Sequence, residues 1–134
     1  MNLTLSEKKR IFIVDDNQEH QEMTKEILYK KFADSIRVIN SDSELDSKRR
    51  LSLQKFDVII LDLNLGKGGN GASVLDFIRN KNEFNKETPI IICSGEVNKD
   101  FIQEFNKEVF KIWVKPLNWE NRLEDLENLF NRSV

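Results

Sequence analysis

Short apolar runs alternate with amphipathic stretches along the chain. Three runs are almost wholly apolar, at Ile11–Val14, Val58–Leu61 and Pro89–Cys93, and such runs are typical of strands that are buried on both faces. Weaker patterns predict two more strands, over Ile36–Ile39 and Val109–Val114. The pattern therefore predicts five strands.

The stretches between the strands carry apolar residues at helical spacing. They predict five helices, over Gln18–Phe32, Ser41–Gln54, Ala72–Asn80, Val97–Lys107 and Trp119–Phe130. The side chains predicted to face the core on the first and fourth helices are Met23, Ile27, Leu28 and Phe32, and Phe101, Ile102 and Phe105. Strands and helices that alternate in this way form a parallel sheet covered by helices on both faces. The predicted fold class is α/β, with a doubly wound five-stranded parallel sheet and five helices.

The predicted start of the second helix contains two candidate capping residues, Ser41 and Ser43. A serine there accepts a hydrogen bond from a free backbone N–H of the first turn. Glu44 lies near the position at which a capping box places its glutamate.

Length and composition narrow the class of protein. The 134 residues suggest one domain that buries a core without disulfides, and the single cysteine, Cys93, is typical of a reducing compartment. No apolar stretch is long enough to cross a membrane and the N-terminus has no secretory core, so we expect a cytoplasmic location. The formal net charge of −2 gives no reason to expect nucleic acid binding.

Polar side chains follow four of the predicted strands. The first strand is followed by Asp15 and Asp16, the third by Asp62, the fourth by Ser94 and the fifth by Lys115. Ligand sites in open parallel sheets form outside the carboxyl ends of the strands. We therefore expect three carboxylates, a hydroxyl and an ammonium group to converge at one edge of the sheet.

This set of side chains suits phosphoryl transfer. Three close carboxylates favour a hard divalent cation, for which Mg²⁺ is the best fit. An aspartate beside Mg²⁺ can attack a phosphoryl group, and Lys115 and Ser94 could neutralise the charge on its oxygens. Each residue alone also has a simpler explanation, because aspartate often caps a helix and Ser94-Gly95 is a turn signal. Their combination at strand ends favours the chemical interpretation.

The order Asp15-Asp16, Asp62, Ser94, Lys115-Pro116 resembles the response-regulator receiver family, from Arg10 to Phe130. The resemblance implies a flavodoxin-like fold of the receiver type. It also implies a single receiver domain over residues 10–132, preceded by a polar lead of residues 1–9.

By this resemblance Asp62 is the phosphoacceptor. Asp16, Asp62 and the backbone carbonyl of Asn64 would bind Mg²⁺ directly, and Asp15 would bind it mostly through water. Ser94 would donate a hydrogen bond to the phosphoryl group and Lys115 would pair with it. The Lys115-Pro116 peptide bond would be cis, as in the family.

The resemblance also implies partners. A sensor histidine kinase or a phosphotransfer protein would supply the phosphoryl group, and an output partner or an effector domain outside this sequence would respond. The domain would catalyse only its own phosphorylation and dephosphorylation. A homodimer through the fourth helix, fifth strand and fifth helix is a further expectation, whereas nucleic acid and membrane partners are not expected.

The chain departs from the family pattern in two places. Gly66 stands where the family usually has proline four positions after the phosphoacceptor, and the expected glycine comes one position late, as Gly71. The loop after Asp62 should therefore be longer and looser. Ile112 stands three residues before Lys115, where the family usually has tyrosine or phenylalanine.

Four other side chains lead to specific predictions. His20, the only histidine, should face solvent on the first helix, and Cys93 should be a buried, inert thiol. Trp113 and Trp119 could belong to the core or to a partner surface.

The rate of dephosphorylation depends on two further positions. Asn64 and Glu96, two residues past Asp62 and Ser94, would flank the path of the water that hydrolyses the acyl phosphate. Both are polar, as in chemotaxis-type receivers, so we expect a short-lived phosphoryl state.

Two alternatives remain open from the sequence. A phosphatase of the haloacid dehalogenase type also uses an aspartate nucleophile, as in Asp62-Leu63-Asn64, but it places its extra acidic pair late in the chain, whereas Asp15 and Asp16 come first here. The other alternative is a docking module that works without phosphorylation. All the expected pocket positions are filled, which argues against this alternative.

Overall fold

The computed structural model describes residues 8–95, 98–116 and 118–132. Its strands are β1 (Lys9–Val14), β2 (Ile36–Ser41), β3 (Val58–Asp62), β4 (Ile90–Ser94) and β5 (Lys111–Val114). Its α-helices are α1 (Gln18–Phe32), α2 (Glu44–Leu51), α3 (Gly71–Lys81), α4 (Lys99–Phe105) and α5 (Trp119–Arg132). Residues 1–7 and the predicted fourth-helix start, Val97, lie outside the described residues. The division between a lead of residues 1–9 and a domain of residues 10–132 stays a prediction.

The five strands form one parallel sheet in the order β2-β1-β3-β4-β5. The predicted fold class is therefore confirmed. From β1 the chain runs to β2 on one side of the sheet and then to β3 on the other side. The connections that leave these two strands therefore diverge, and at such a switch point they leave a crevice at the carboxyl edge of the sheet. Val14 pairs with Leu61, so the residues that follow β1 and β3 meet at this crevice.

The strands bury side chains on both faces of the sheet. Ile11 and Ile13 contribute to the core under α1 and α5, and Phe12 and Val14 contribute to the core under α2, α3 and α4. All four side chains are at most 2% exposed. The near-continuous apolar runs therefore reflect two cores, as the sequence predicted.

The inward face of α1 differs from the prediction. Met23 is 44% exposed, whereas the polar side chains of Gln21 and Thr24 are buried with Leu28. Gln21 is satisfied because its Nε2 donates to the backbone carbonyl of Asp15 and, over 3.1 Å, to that of Ser41. A buried amide with these partners occupies the core face near the crevice, so the prediction for Met23 was wrong.

The fourth helix is also shorter and less buried than predicted. Phe101 and Phe105 pack against the core and contact each other with ring centroids 4.9 Å apart. Ile102 is 42% exposed, so its predicted place in the core was wrong. One residue's offset rotates a side chain by about 100° around a helix, which turns Ile102 outward beside Phe101.

The start of α2 distinguishes the two candidate caps. Ser43 is the N-cap, and its Oγ accepts a hydrogen bond from the backbone N–H of Asp46 at 3.2 Å. Ser41 is instead the buried last residue of β2. Glu44 does not close a capping box, because its carboxylate binds the loop after β3.

The second helix ends three residues before the predicted Gln54, at Leu51. Asn82 and Asn85 donate their side-chain amides to the Leu51 carbonyl over 2.9 and 3.0 Å, which satisfies a free carbonyl of the last turn. No helix in the described part of the chain is long and apolar enough to span a membrane.

Candidate functional site

Three carboxylates meet in the crevice at the carboxyl edge of the sheet. Asp15 and Asp16 follow β1 and Asp62 ends β3, and one oxygen from each lies within 4.8 Å of the other two. Asp15 and Asp62 are only 4% and 7% exposed, whereas Asp16 is exposed. Carboxylates this close repel one another unless a cation is shared between them. An all-oxygen donor set fits a hard divalent cation.

Local turns orient the two buried carboxylates. Asp15 Oδ1 accepts from the backbone N–H of Asn17, and Asp62 Oδ1 accepts from that of Asn64, each at 2.9 Å. Asn17 then caps α1, since its side chain accepts from the N–H of His20 at 3.0 Å. Asn17 therefore caps α1, and the carboxylate of Asp15 is not needed as the cap.

Lys115 reaches the same point from the end of β5. Its Nζ donates to Asp62 Oδ2 at 2.6 Å, and the Lys115-Pro116 peptide bond is cis, as predicted. Burial alone would lower the pKa of Lys115, but the hydrogen bond and attraction to Asp62, together with the attraction of Asp15, raise it above its ordinary value. The lysine is therefore a permanent cation in this crevice.

The crevice is an open cleft of about 660 Å³. It brings together the six residues that were predicted to bind the metal or the phosphoryl group, namely Asp15, Asp16, Asp62, Asn64, Ser94 and Lys115. Ser94 ends β4, and Gly95 beside it also lines the cleft.

His20 also lines the cleft, and its prediction as a solvent-facing residue was wrong. Its side chain is 25% exposed, and its Nδ1 contacts Asp15 Oδ2. Side chains in the first turn of a helix point back toward the N-terminus, so a residue just after the Asp15 turn can reach that carboxylate. This direction was the signal that could have placed His20 at the site.

The loop after Asp62 contains a short turn of 3₁₀ helix, Gly66–Gly68. Gly66 has φ +55°, and a Cβ built there would lie 2.8 Å from Asp16 Oδ2. A Cβ on Gly71 would collide with the backbone carbonyl of Asp62. The two glycines therefore let the loop pass close to the carboxylates, in a conformation that proline could not adopt at Gly66.

A profile of the response regulator receiver domain matches residues 11–127. The chain belongs to the response regulator receiver family. The receiver domain is the signalling module of two-component systems, and its acidic edge corresponds here to the cluster of Asp15, Asp16 and Asp62. No match was found among curated proteins.

Similar solved structures are receivers. The chemotaxis protein CheY4 of Vibrio cholerae is 24% identical, with a TM-score of 0.79 over 91% of this chain and 98% of that one. A two-component response regulator from Clostridium difficile is 21% identical, with a TM-score of 0.81 over 94% and 98%. The receiver domain of the sensor histidine kinase PA1611 from Pseudomonas aeruginosa, with a magnesium ion coordinated in its active-site cleft, is 21% identical, with a TM-score of 0.78 over 92% and 98%.

The large aromatic side chain of β5 lies one position after Ile112, the position at which the family usually has tyrosine or phenylalanine. Ile112 is partly buried, and the next residue, Trp113, is fully buried in the core under α1 and α5. Trp113 Nε1 donates to Asp125 Oδ2 at 2.9 Å, and its ring meets Trp119 edge to face at 6.0 Å. Of the two predicted roles for Trp113, the core role is confirmed.

Cys93, on β4, belongs to the same core. Burial raises the pKa of its thiol to about 12. The predicted burial of Cys93 is therefore confirmed, and because a thiol that stays protonated is a poor nucleophile, we expect it to be inert.

Proposed function

We propose that this receiver domain accepts a phosphoryl group on Asp62, in a Mg²⁺-dependent step, from a sensor histidine kinase or a phosphotransfer protein. The phosphorylated state would then alter binding to an output partner or domain. The observation that carries the proposal is the convergence of the Lys115 ammonium and two further carboxylates on Asp62.

The orientation of Asp62 suits nucleophilic attack. Its Oδ1 is held by the backbone N–H of Asn64, so Oδ2 is the atom that faces Lys115 and the cleft. Oδ2 would form a bond to phosphorus while the bond from phosphorus to the donor's histidine nitrogen breaks and that nitrogen takes up a proton. Lys115 would exchange its hydrogen bond with Oδ2 for one with a phosphoryl oxygen, and Ser94 would donate a second.

Mg²⁺ would be held directly by Asp16, Asp62 and the backbone carbonyl of Asn64, and by Asp15 mostly through water. When bound, it neutralises part of the charge on the phosphoryl oxygens and on the carboxylates. The magnesium in the PA1611 receiver supports this choice of metal. The close-set carboxylates of this chain, two of which are buried, support it independently.

The proposed output surface is the face made by α4, β5 and α5. Ile102 on α4 and Val114 on β5 are 42% and 44% exposed, and they are the side chains through which an output partner or a second copy would make an apolar contact there. The expected cytoplasmic location stays a prediction.

No specific observation on the described residues favours a haloacid dehalogenase-type phosphatase or a docking module that works without phosphorylation.

Incubation with acetyl phosphate or phosphoramidate and Mg²⁺, followed by intact mass measurement, tests the proposal. We expect one phosphoryl group on the parent protein and none on Asp62→Asn or after chelation of the metal. Asp76→Asn is the matched control, because Asp76 is an exposed aspartate on α3 that accepts a hydrogen bond from Asn80 of the same helix. A phosphoryl gain that persists in Asp62→Asn would reject the assignment.

A further inference from the structure

The glycine-rich loop after Asp62 rests against the start of α2. A Cβ on Gly68 would lie 2.6 Å from the backbone carbonyl of Asp42, and one on Gly69 would lie 2.7 Å from Cβ of Glu44. Gly69 also has φ +118°, which L side chains rarely adopt. These two glycines therefore allow a contact between the loop and α2 that other residues would prevent.

Glu44 holds the loop at this contact. Its Oε1 accepts from the backbone N–H of Asn70 at 3.0 Å, and its Oε2 accepts from Ser73 Oγ at 2.9 Å and from Lys48 Nζ at 2.8 Å. Lys48 Nζ also donates to Ser73 Oγ at 3.1 Å. The carboxylate thus joins the start of α2 to the loop and to the first turn of α3.

The part of the loop that Glu44 holds is connected to the cleft. Asn70 forms an antiparallel bridge with Asn64, and the backbone N–H of Gly71 donates to the Leu63 carbonyl at 3.0 Å. The side chain of Asn64 accepts from the N–H of Gly66 at 3.0 Å. A displacement of Asn70 would therefore move the residues that line the metal side of the cleft.

We propose that Glu44 is a positioning residue, which fixes the loop after Asp62 and thereby sets the affinity of the site for Mg²⁺. The inference rests on the proposed function, since it assigns a role toward the same metal. The physical reason is entropic, because this loop has three glycines and lacks the usual proline, so ordering it costs more than in a stiffer loop. Because Glu44 orders the loop when the protein folds, Mg²⁺ binding does not bear this entropic cost.

Calorimetric titration with Mg²⁺ and amide hydrogen exchange over residues 64–71 test the inference with two independent readouts. We expect Glu44→Ala to speed exchange at Asn70 and to weaken Mg²⁺ binding about tenfold, the lower end of the usual loss for residues that support metal ligands. Glu44→Gln keeps an oxygen for Asn70 but loses the charge that attracts Lys48, so its effect should be smaller. Ser73→Ala removes one donor without a change of charge and should weaken Mg²⁺ binding slightly.

Asp46→Asn is the matched control for charge. Like Glu44→Gln it replaces an acid by its amide on α2, but the Asp46 carboxylate binds Ser41 and Arg50, and among the described residues it forms no hydrogen bond to the loop. We expect normal exchange over residues 64–71 in this variant. If it weakened Mg²⁺ binding as much as Glu44→Gln does, the effect would be one of net charge and the inference would fail.

The outcomes separate this inference from the proposed function. A parent that binds Mg²⁺ in a Glu44-dependent way but accepts no phosphoryl group would reject the function and keep the positioning role. A parent that is phosphorylated, with the same Mg²⁺ affinity in Glu44→Ala, would reject the positioning role alone, and a parent that binds no Mg²⁺ would reject both. Should Glu44→Ala not fold, parent-like affinity in both Glu44→Gln and Ser73→Ala would overturn the inference.

Discussion

Lys115 Nζ donates a hydrogen bond to Asp62 Oδ2 over 2.6 Å and so joins the end of β5 to the end of β3. This is the oxygen through which Asp62 would attack phosphorus. The cation that would stabilise the transferred group is therefore already in place beside the nucleophile, and the transfer needs only an exchange of hydrogen-bond partner. A preplaced charge of this kind costs little reorganisation during the reaction.

Removal of the lysine should therefore slow the transfer without removing the metal site. We expect Lys115→Met to lower the rate of phosphorylation by acetyl phosphate about 100-fold, in the range found when one preorganised donor is lost. Mg²⁺ affinity should be equal or higher, because one positive charge leaves the cleft. Lys111→Met, at the exposed first residue of β5, is the control and should keep the parental rate. Equal rates for all three proteins would contradict this role.

Magnesium should stabilise the folded protein by mass action. At a free Mg²⁺ concentration 100 times the Kd, linkage gives about 2.7 kcal/mol, which corresponds to a rise in Tm of about 8 °C for a domain of this size. Asp16→Ala should remove most of this rise, although without metal it should melt slightly higher than the parent because one repulsion is gone. Thermal unfolding followed by circular dichroism measures both effects. A parental Tm that does not respond to Mg²⁺ would count against the metal site.

The strands and the positions of the six cleft residues could be predicted from the sequence for a simple physical reason. Burial on both faces leaves a continuous apolar run, and parallel strands bring whatever follows them to one edge. The roles of His20 and Glu44 were missed because they depend on side-chain direction and on contacts across the fold. Glu44 meets Asn70 across 26 positions of sequence, and no local pattern reports such a contact.

The two tryptophans should respond differently to activation. Trp119 lines a small cavity together with Asp15 and Asp62, whereas Trp113 is buried in the core with its Nε1 held by Asp125. We expect beryllofluoride with Mg²⁺ to change the intrinsic fluorescence of the parent and of Trp113→Phe, but not of Trp119→Phe. A parent that binds the analogue without a spectral change would contradict the coupling of this cavity to the site.

Stability at acid pH should report the Glu44 contact. Hydrogen bonds from Lys48, Asn70 and Ser73 lower the pKa of Glu44 from 4.5 to about 2. Because the folded-state pKa is depressed, the contribution is complete above pH 4.5 and is lost as the pH falls toward about 2. Urea unfolding at pH 6 and at pH 3 should therefore show a stability gap between the parent and Glu44→Gln that narrows at pH 3. A gap that is constant over this range would show that the ionised carboxylate does not make the contact.

The lifetime of the phosphoryl group should depend on Asn64. Hydrolysis needs a water in line with the acyl phosphate, and Asn64 lies exposed at the cleft, two residues past Asp62. Its Oδ1 accepts from the N–H of Gly66, which leaves the amide N–H groups as donors to a water. The other residue predicted to flank this water, Glu96, lies outside the described residues. A polar pair at these positions should make dephosphorylation fast.

Loss of phosphate should be timed in the parent, in Asn64→Met and in Glu96→Leu after removal of the phosphodonor. We expect both variants to hold the phosphoryl group at least about tenfold longer, as for the removal of a group that positions a reactant. Gly95→Ala is the control, because a Cβ on Gly95 would meet nothing within 4 Å and should leave the water's path open. It should decay at nearly the parental rate. Decay of both polar-to-apolar variants at the parental rate would show that these residues do not control the water, and the short lifetime would then need another cause.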